Sequence, residues 1–336
     1  MLYSIILAVS IAVGAITAVA IKYFASYLKI KDLPNHPRKL HKHPVPLLGG
    51  LALYISFFGI AFSLFYLKIL PANLLHPIIW LFISGTVLMI GGFLDDKYNL
   101  PAKVQIIFPL IAVVLALYGG VRINLITNPL GGVLHLGFLI SLILSFVWLL
   151  TITYTTKILD GLDGLVSGVV SLGALMIFLF STLSDFKEAG IPYIALIVAG
   201  IFAGFLFLNA HPAKLFLGEG GSLFAGFILG SLAIMTGAKI AITLMVLAAP
   251  LIDLLAVMIK RAFIKKKSIF SGDRLHLHYL LVDKGWDPQY VVYIYWGLAA
   301  LMGLVSIFLP SMWKAIFLIF ISIIFFAVDL FWFKDK

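Results

Sequence analysis

The chain contains no cysteine. That absence excludes disulfides, thiolate nucleophiles and thiolate metal sites, and leaves any chemistry to carboxylates, imidazoles, amines or a bound ion. Charge is scarce too: 11% of the 336 residues are Asp, Glu, Lys or Arg, while 62% are hydrophobic and the mean hydropathy is +1.14. A water-soluble core cannot hide that much apolar surface, so the chain is expected in lipid. The long apolar runs also lack period-two alternation. Inside a bilayer the backbone satisfies its own hydrogen bonds in helices or a closed barrel, and without alternation helices are the choice. No small-residue cleavage site follows the first apolar run, which reads as a retained span flanked by Lys29 and Lys31.

What is present is a series of apolar segments, each near the roughly 20 residues needed to cross about 30 Å of hydrocarbon. They fall near 2–28, 47–69, 75–94, 102–119, 137–156, 164–183, 191–208, 220–237, 240–262, 289–309 and 313–333. The expected fold is an all-α polytopic transmembrane bundle of about eleven spans, a single domain over 1–336. Its inner-face joints lie near 29–46, 95–101, 157–163, 209–219 and 263–288. An N-terminus outside and a C-terminus inside leaves only Lys68, Arg122, Lys187, Lys239 and Lys314 on the outer face, which satisfies the positive-inside bias. The net charge of +10 then reflects topology and anionic lipid surfaces, not nucleic acid.

Carboxylates do not follow that bias, so their placement carries information. Asp185 and Glu188 fall outside, and Asp253 and Asp329 fall within spans. The others gather on the inner face with His36, His41, His43, His211, His276 and His278. Longer inner loops account for part of this, but carboxylates and imidazoles collected on one face point to a polar site at the membrane surface.

Five inner-face segments carry the candidate chemistry. The first runs from Asn35 to Gly50 and includes His41, Lys42 and the pair Gly49-Gly50 opening a span. Glycines at a helix start let an anion approach exposed N–H groups, although a topology-setting basic loop reads the same way. The second ends a span with Asp95-Asp96, two like charges that raise one another's pKa unless a cation offsets them. Asp160 and Asp163, in a repeated Asp-Gly frame, place two carboxylates on one side of a first helical turn. One N-cap would account for a single Asp, hardly both. The fourth segment, Asn209 to Ser222, sets Glu219 before a glycine-rich helix start, as a dipole-favoured cap or a cation ligand. In the last, Arg274, His276 and His278 alternate along a segment read as extended, which would project three phosphate donors to one side. Asp253 reads as a supporting or helix-pairing residue, and Asp329 as one that snorkels to the inner surface.

In this order the five segments resemble the polyprenyl-phosphate N-acetylhexosamine-1-phosphate transferases, the superfamily of WecA, TagO and MraY. The motifs are Arg-Lys-x-His at 38–41 with Pro-x-x-Gly-Gly at 46–50, Asp95-Asp96, Asp-Gly-Leu-Asp-Gly-Leu at 160–165, Pro-Ala-x-x-Phe-x-Gly at 212–218, and Asp-Arg-x-His-x-His at 273–278. The His-x-His form looks nearer to the WecA and TagO branch, which favours UDP-N-acetylglucosamine as donor. The resemblance implies transfer of a sugar-1-phosphate from a UDP-sugar to undecaprenyl or another polyprenyl phosphate with release of UMP, initiating a cell-envelope glycan such as lipopolysaccharide or teichoic acid. It implies Mg²⁺, or Mn²⁺ in its place, a multi-pass enzyme of the inner (plasma) membrane with its active site on the cytoplasmic face, and a homodimer. Asp95, Asp96, Asp160 and Asp163 would be catalytic. His41, Lys42, Gly49, Gly50, Lys103, Asn209, Arg274, His276 and His278 would bind substrate or phosphate, and Asp163 and Glu219 the metal.

The chain departs from that pattern at telling places. Lys157 stands where a metal-ligating Asn is expected, Glu219 where an Asp is expected, Gln105 where a basic residue is frequent, and Tyr279 ends the His-x-His-His run. An ammonium beside a divalent ion is repulsive. Two readings follow: a transferase with altered metal dependence, or a weakened homologue that still binds lipid phosphate. A secondary transporter would instead show an internal repeat and ionisable groups at the midplane.

Overall fold

The computed structural model describes residues 1–34, 43–128, 132–183, 189–236, 240–261 and 275–332. His41, Lys42 and Arg274 lie outside the described residues. The helices in chain order are α1 (Leu2–Tyr27), α2 (Gly49–Tyr66), α3 (Leu75–Tyr98), α4 (Ala102–Gln105), α5 (Ile107–Tyr118), α6 (Phe138–Leu159), α7 (Leu165–Leu183), α8 (Ile191–Asn209), α9 (Gly218–Met235), α10 (Ile240–Val246), α11 (Ala248–Ile259), α12 (Leu277–Asp283), α13 (Pro288–Phe308) and α14 (Ser311–Trp332).

Among the described residues, eight helical segments are long and apolar enough to cross a bilayer, and α10 with α11 makes a ninth if the bent pair is one span. The two remaining expected spans coincide with shorter apolar helices, Ala102–Tyr118 and Met312–Ile324. The 73° bend between α10 and α11 has a local cause. Pro250 has no N–H to return to Val246, the residue at which α10 ends.

The bundle interior is mainly apolar but takes in small polar side chains, while its outer surface is apolar. On α6, Ser141, Ser145, Thr153 and Thr156 are buried while Phe138, Leu139, Ile140, Ile143 and Val147 are exposed. Burial grades across the bundle: the apolar window of α9 is 89% buried and that of α1 only 28%, so α9 is the central post and α1 keeps a lipid-facing side. Helices α2, α3, α6, α7 and α10 all pack on α9.

Two short antiparallel ladders depart from a purely helical chain. Strand β1 (Lys31–Asp32) pairs with β2 (Val45–Pro46), and β3 (Leu125–Thr127) pairs with β4 (Val133–His135). The first holds the joint between α1 and α2 against the end of the bundle that carries the candidate site.

Candidate active site

Three helix ends build the acidic face. Helix α3 stops at Asn99, which takes a left-handed φ of 50° and returns its N–H to Asp95 O at 2.8 Å, with Pro101 preventing continuation. Its last turn therefore presents Asp95 and Asp96. Helix α6 ends at Leu159, leaving Lys157 in its last turn and Asp160 just beyond. Helix α9 starts at Gly218, whose φ of +72° and missing Cβ leave room for the Asp96 carboxylate. Asp96 Oδ1 accepts the Glu219 N–H at 3.0 Å, so an α3 carboxylate caps the start of α9.

A directed hydrogen-bond network joins these ends. Asp95 Oδ1 accepts from the Leu100 N–H at 2.9 Å and from Gln105 Nε2 at 2.8 Å. Gln105 Oε1 in turn accepts from Lys157 Nζ at 3.1 Å, and Lys157 Nζ also donates to Glu219 Oε1 as an ion pair. In the sequence, Gln105 stands only where a basic residue is frequent. Its bridging role becomes visible when α3, α4 and α6 meet.

Asp163 lies in the turn after Asp160, where its Oδ2 pairs with His211 Nδ1 at 2.8 Å and accepts the Ala213 N–H at 3.0 Å. Asp160 differs: its carboxylate makes no hydrogen bond among the described residues, and the residue is exposed. Desolvation by the surrounding protein, then the charges of Glu219, Asp96 and Asp163, push its carboxyl up to about 8.

The histidines close the other side. His276 caps α12 and pairs through Nδ1 with Asp253 Oδ2 at 2.9 Å, while the Leu277 N–H donates to Asp253 Oδ1 at 2.8 Å. The segment read as extended is thus a cap followed by a helix. Even so, the rings of His276 and His278 lie nearly parallel, 9° apart with centroids at 5.9 Å. A Cβ on Gly161 would stand 2.6 Å from His278 Nε2 and 2.5 Å from the Tyr279 hydroxyl, so the Asp-Gly repeat and the His-x-His segment are in contact. Without a side chain at 161 they can approach that closely.

Three other expected site residues have partners at the joint before α9. The Gly49 and Gly50 N–H groups donate to Phe216 O at 2.9 Å and Leu217 O at 2.8 Å, so they hold the joint before α9 and offer nothing to an anion. Asn209 is buried, with Ser167 Oγ on its Oδ1 at 2.7 Å and its Nδ2 donating to Leu215 O at 3.0 Å. It secures the same joint. Lys103 is exposed at the surface of α4. His211, which carries Asp163, was visible in the sequence only as one of several inward histidines.

An apolar groove of about 330 Å³ between α2, α3 and α9 runs up to Asp96, lined by Leu51, Tyr54, Met89, Ile90 and Phe93 among others. It opens sideways, where Ile90 is 52% exposed.

A divalent ion does not fit at Glu219 and position 157. The ammonium of Lys157 already occupies a Glu219 oxygen, so an ion there would lie against a like charge.

Carboxylates and imidazoles thus gather at one end of a polytopic helical bundle, beside an apolar groove that ends at Asp96. The sequence pattern of glycosyl transferase family 4 matches residues 78–237, from α3 to just past α9 and so across Asp95, Asp96, Asp160, Asp163 and Glu219. A probable undecaprenyl-phosphate N-acetylglucosaminyl 1-phosphate transferase of Bacillus subtilis is 30% identical, over 92% of this chain and 86% of the relative. A decaprenyl-phosphate N-acetylglucosaminephosphotransferase of Mycobacterium tuberculosis is 29% identical, over 89% and 83%. A phospho-N-acetylmuramoyl-pentapeptide-transferase of Halalkalibacterium halodurans is 32% identical, over 80% and 84%. The chain belongs to glycosyl transferase family 4 and is a membrane-embedded sugar-phosphate transferase.

Proposed function

We propose that the protein transfers N-acetylglucosamine-1-phosphate from UDP-N-acetylglucosamine to a polyprenyl phosphate, releasing UMP, at the cytoplasmic face of the plasma membrane. An oxygen of the lipid phosphate bonds to the sugar-linked phosphorus, the bond from that phosphorus to the bridging oxygen breaks, and the bridging oxygen leaves with UMP. The observation that carries the reading is the position of Asp96, which ends the apolar groove and caps the start of α9 beside Glu219. A prenyl chain lying in the groove delivers its phosphate to that point.

Both reactants are anions, so neutralisation and positioning dominate such a reaction. Asp160, exposed and with no hydrogen-bond partner among the described residues, is the carboxyl left to contact the reacting phosphates. Lys157 supplies positive charge, and the paired imidazoles of His276 and His278 wall the pyrophosphate side. The Bacillus and Mycobacterium relatives, named for N-acetylglucosamine, support that sugar. The Halalkalibacterium relative supports a muramoyl-pentapeptide donor as the second reading.

Purified protein with undecaprenyl phosphate should release UMP from UDP-N-acetylglucosamine, and Asp160→Asn should lower kcat by about 100-fold or more. Release from the muramoyl-pentapeptide donor alone would change the sugar. No release from either donor would leave a lipid-phosphate-binding homologue.

A further inference from the structure

The mismatch at position 157 is itself informative. Lys157 sits in the last turn of α6, where the helix dipole favours a cation, and its Nζ lies 5.9 Å from the Tyr154 ring centroid. It reaches Glu219 from one side and Gln105 Oε1 from the other, with the Lys157 and Glu219 side chains only 26% and 15% exposed. An ammonium can only donate, so the Gln105 carbonyl must face it. That turns Gln105 Nε2 toward Asp95 Oδ1 at 2.8 Å and Leu100 O at 2.9 Å. One amine thereby neutralises Glu219 directly and orients a donor onto Asp95, linking α3, α6 and α9 as a bridging cation would. A divalent ion seated on Glu219 would have to displace this ammonium or lie against it, and like charges at such range repel strongly outside bulk water.

We propose that Lys157 is a built-in cation that replaces a divalent ion in the carboxylate cluster, so that this cluster binds no metal and transfer proceeds without one. The inference rests on the transferase reading for its activity arm only. Its direct arm is metal binding itself.

The experiment is a Mn²⁺ titration of the purified full-length protein by electron paramagnetic resonance, alongside UMP release with and without EDTA, for the unaltered protein, Lys157→Arg and Lys157→Asn. The unaltered protein and Lys157→Arg should show no Mn²⁺ site tighter than about 1 mM, and their UMP release should change by less than about twofold with EDTA. Lys157→Asn should bind Mn²⁺ at least about tenfold more tightly, and its residual UMP release should become dependent on added divalent ion. A merely structural lysine would produce neither change. If Lys157→Asn does not fold, the other two proteins still decide. A stoichiometric Mn²⁺ site in the unaltered protein, or UMP release abolished by EDTA, overturns the inference. Absence of UMP release with every donor removes the transferase reading alone, and the Mn²⁺ titration then decides.

Discussion

At Asp253 both carboxylate oxygens are committed, one to His276 Nδ1 and one to the Leu277 N–H, and the pair is almost fully buried. At Asp160 neither oxygen is committed within the described residues. The same residue type thus does two jobs, and hydrogen-bond accounting separates them: a saturated buried carboxylate positions, whereas an unsaturated exposed one can meet a ligand. Asp253→Ala should leave a buried imidazole and a backbone N–H without their acceptor, at about 1–3 kcal/mol for each orphaned group. A clear fall in the thermal unfolding midpoint is expected, with a smaller fall for Asp253→Asn, whose amide can serve both partners after a change of His276 tautomer. Equal midpoints for all three proteins would show that the pair does not anchor α12.

Among the helices, the crossing of α2, α3 and α9 decides where Asp96 and Glu219 stand. A Cβ on Gly50 would fall on Gly221, and one on Gly92 would fall on the backbone of Gly220. Small residues let these helices meet backbone to backbone, the means by which spans pack tightly without a hydrophobic drive between them. Gly92→Val should therefore push α3 from α9, cost about 1–3 kcal/mol or more, and abolish activity by separating Asp96 from Glu219. Gly59→Ala on α2, where nothing lies within 4 Å of the added methyl, should leave unfolding and turnover near those of the unaltered protein. If Gly92→Val unfolds and turns over like Gly59→Ala, the crossing does not set the site.

For the molecule as a whole, the relation of the groove to the carboxylates matters most, because the proposed reaction joins a lipid to a soluble nucleotide sugar. The groove brings apolar surface to Asp96, and Asp160 is exposed on the turn after α6. Ile90→Trp fills the open flank of the groove without touching the carboxylates. It should raise KM for polyprenyl phosphate by about 5–30-fold, equivalent to roughly 1–2 kcal/mol, and leave KM for the UDP-sugar unchanged. A matching rise in both constants would mean that the lipid enters elsewhere.

Sequence alone determined that the chain lives in lipid as a helical bundle, because hydropathy over roughly 20 residues is a local property of the chain. The five motifs were equally legible, since each is contiguous, and they carried the family with them. Which members touch was not legible. Only the tertiary structure decided that Gln105 links Asp95 to Lys157, that His211 holds Asp163, and that Gly161 faces His278. It likewise decided that Gly49, Gly50 and Asn209 brace a joint. These are contacts between residues distant in sequence, created when separate helices pack, and no local pattern encodes the direction in which a side chain meets a partner on another helix.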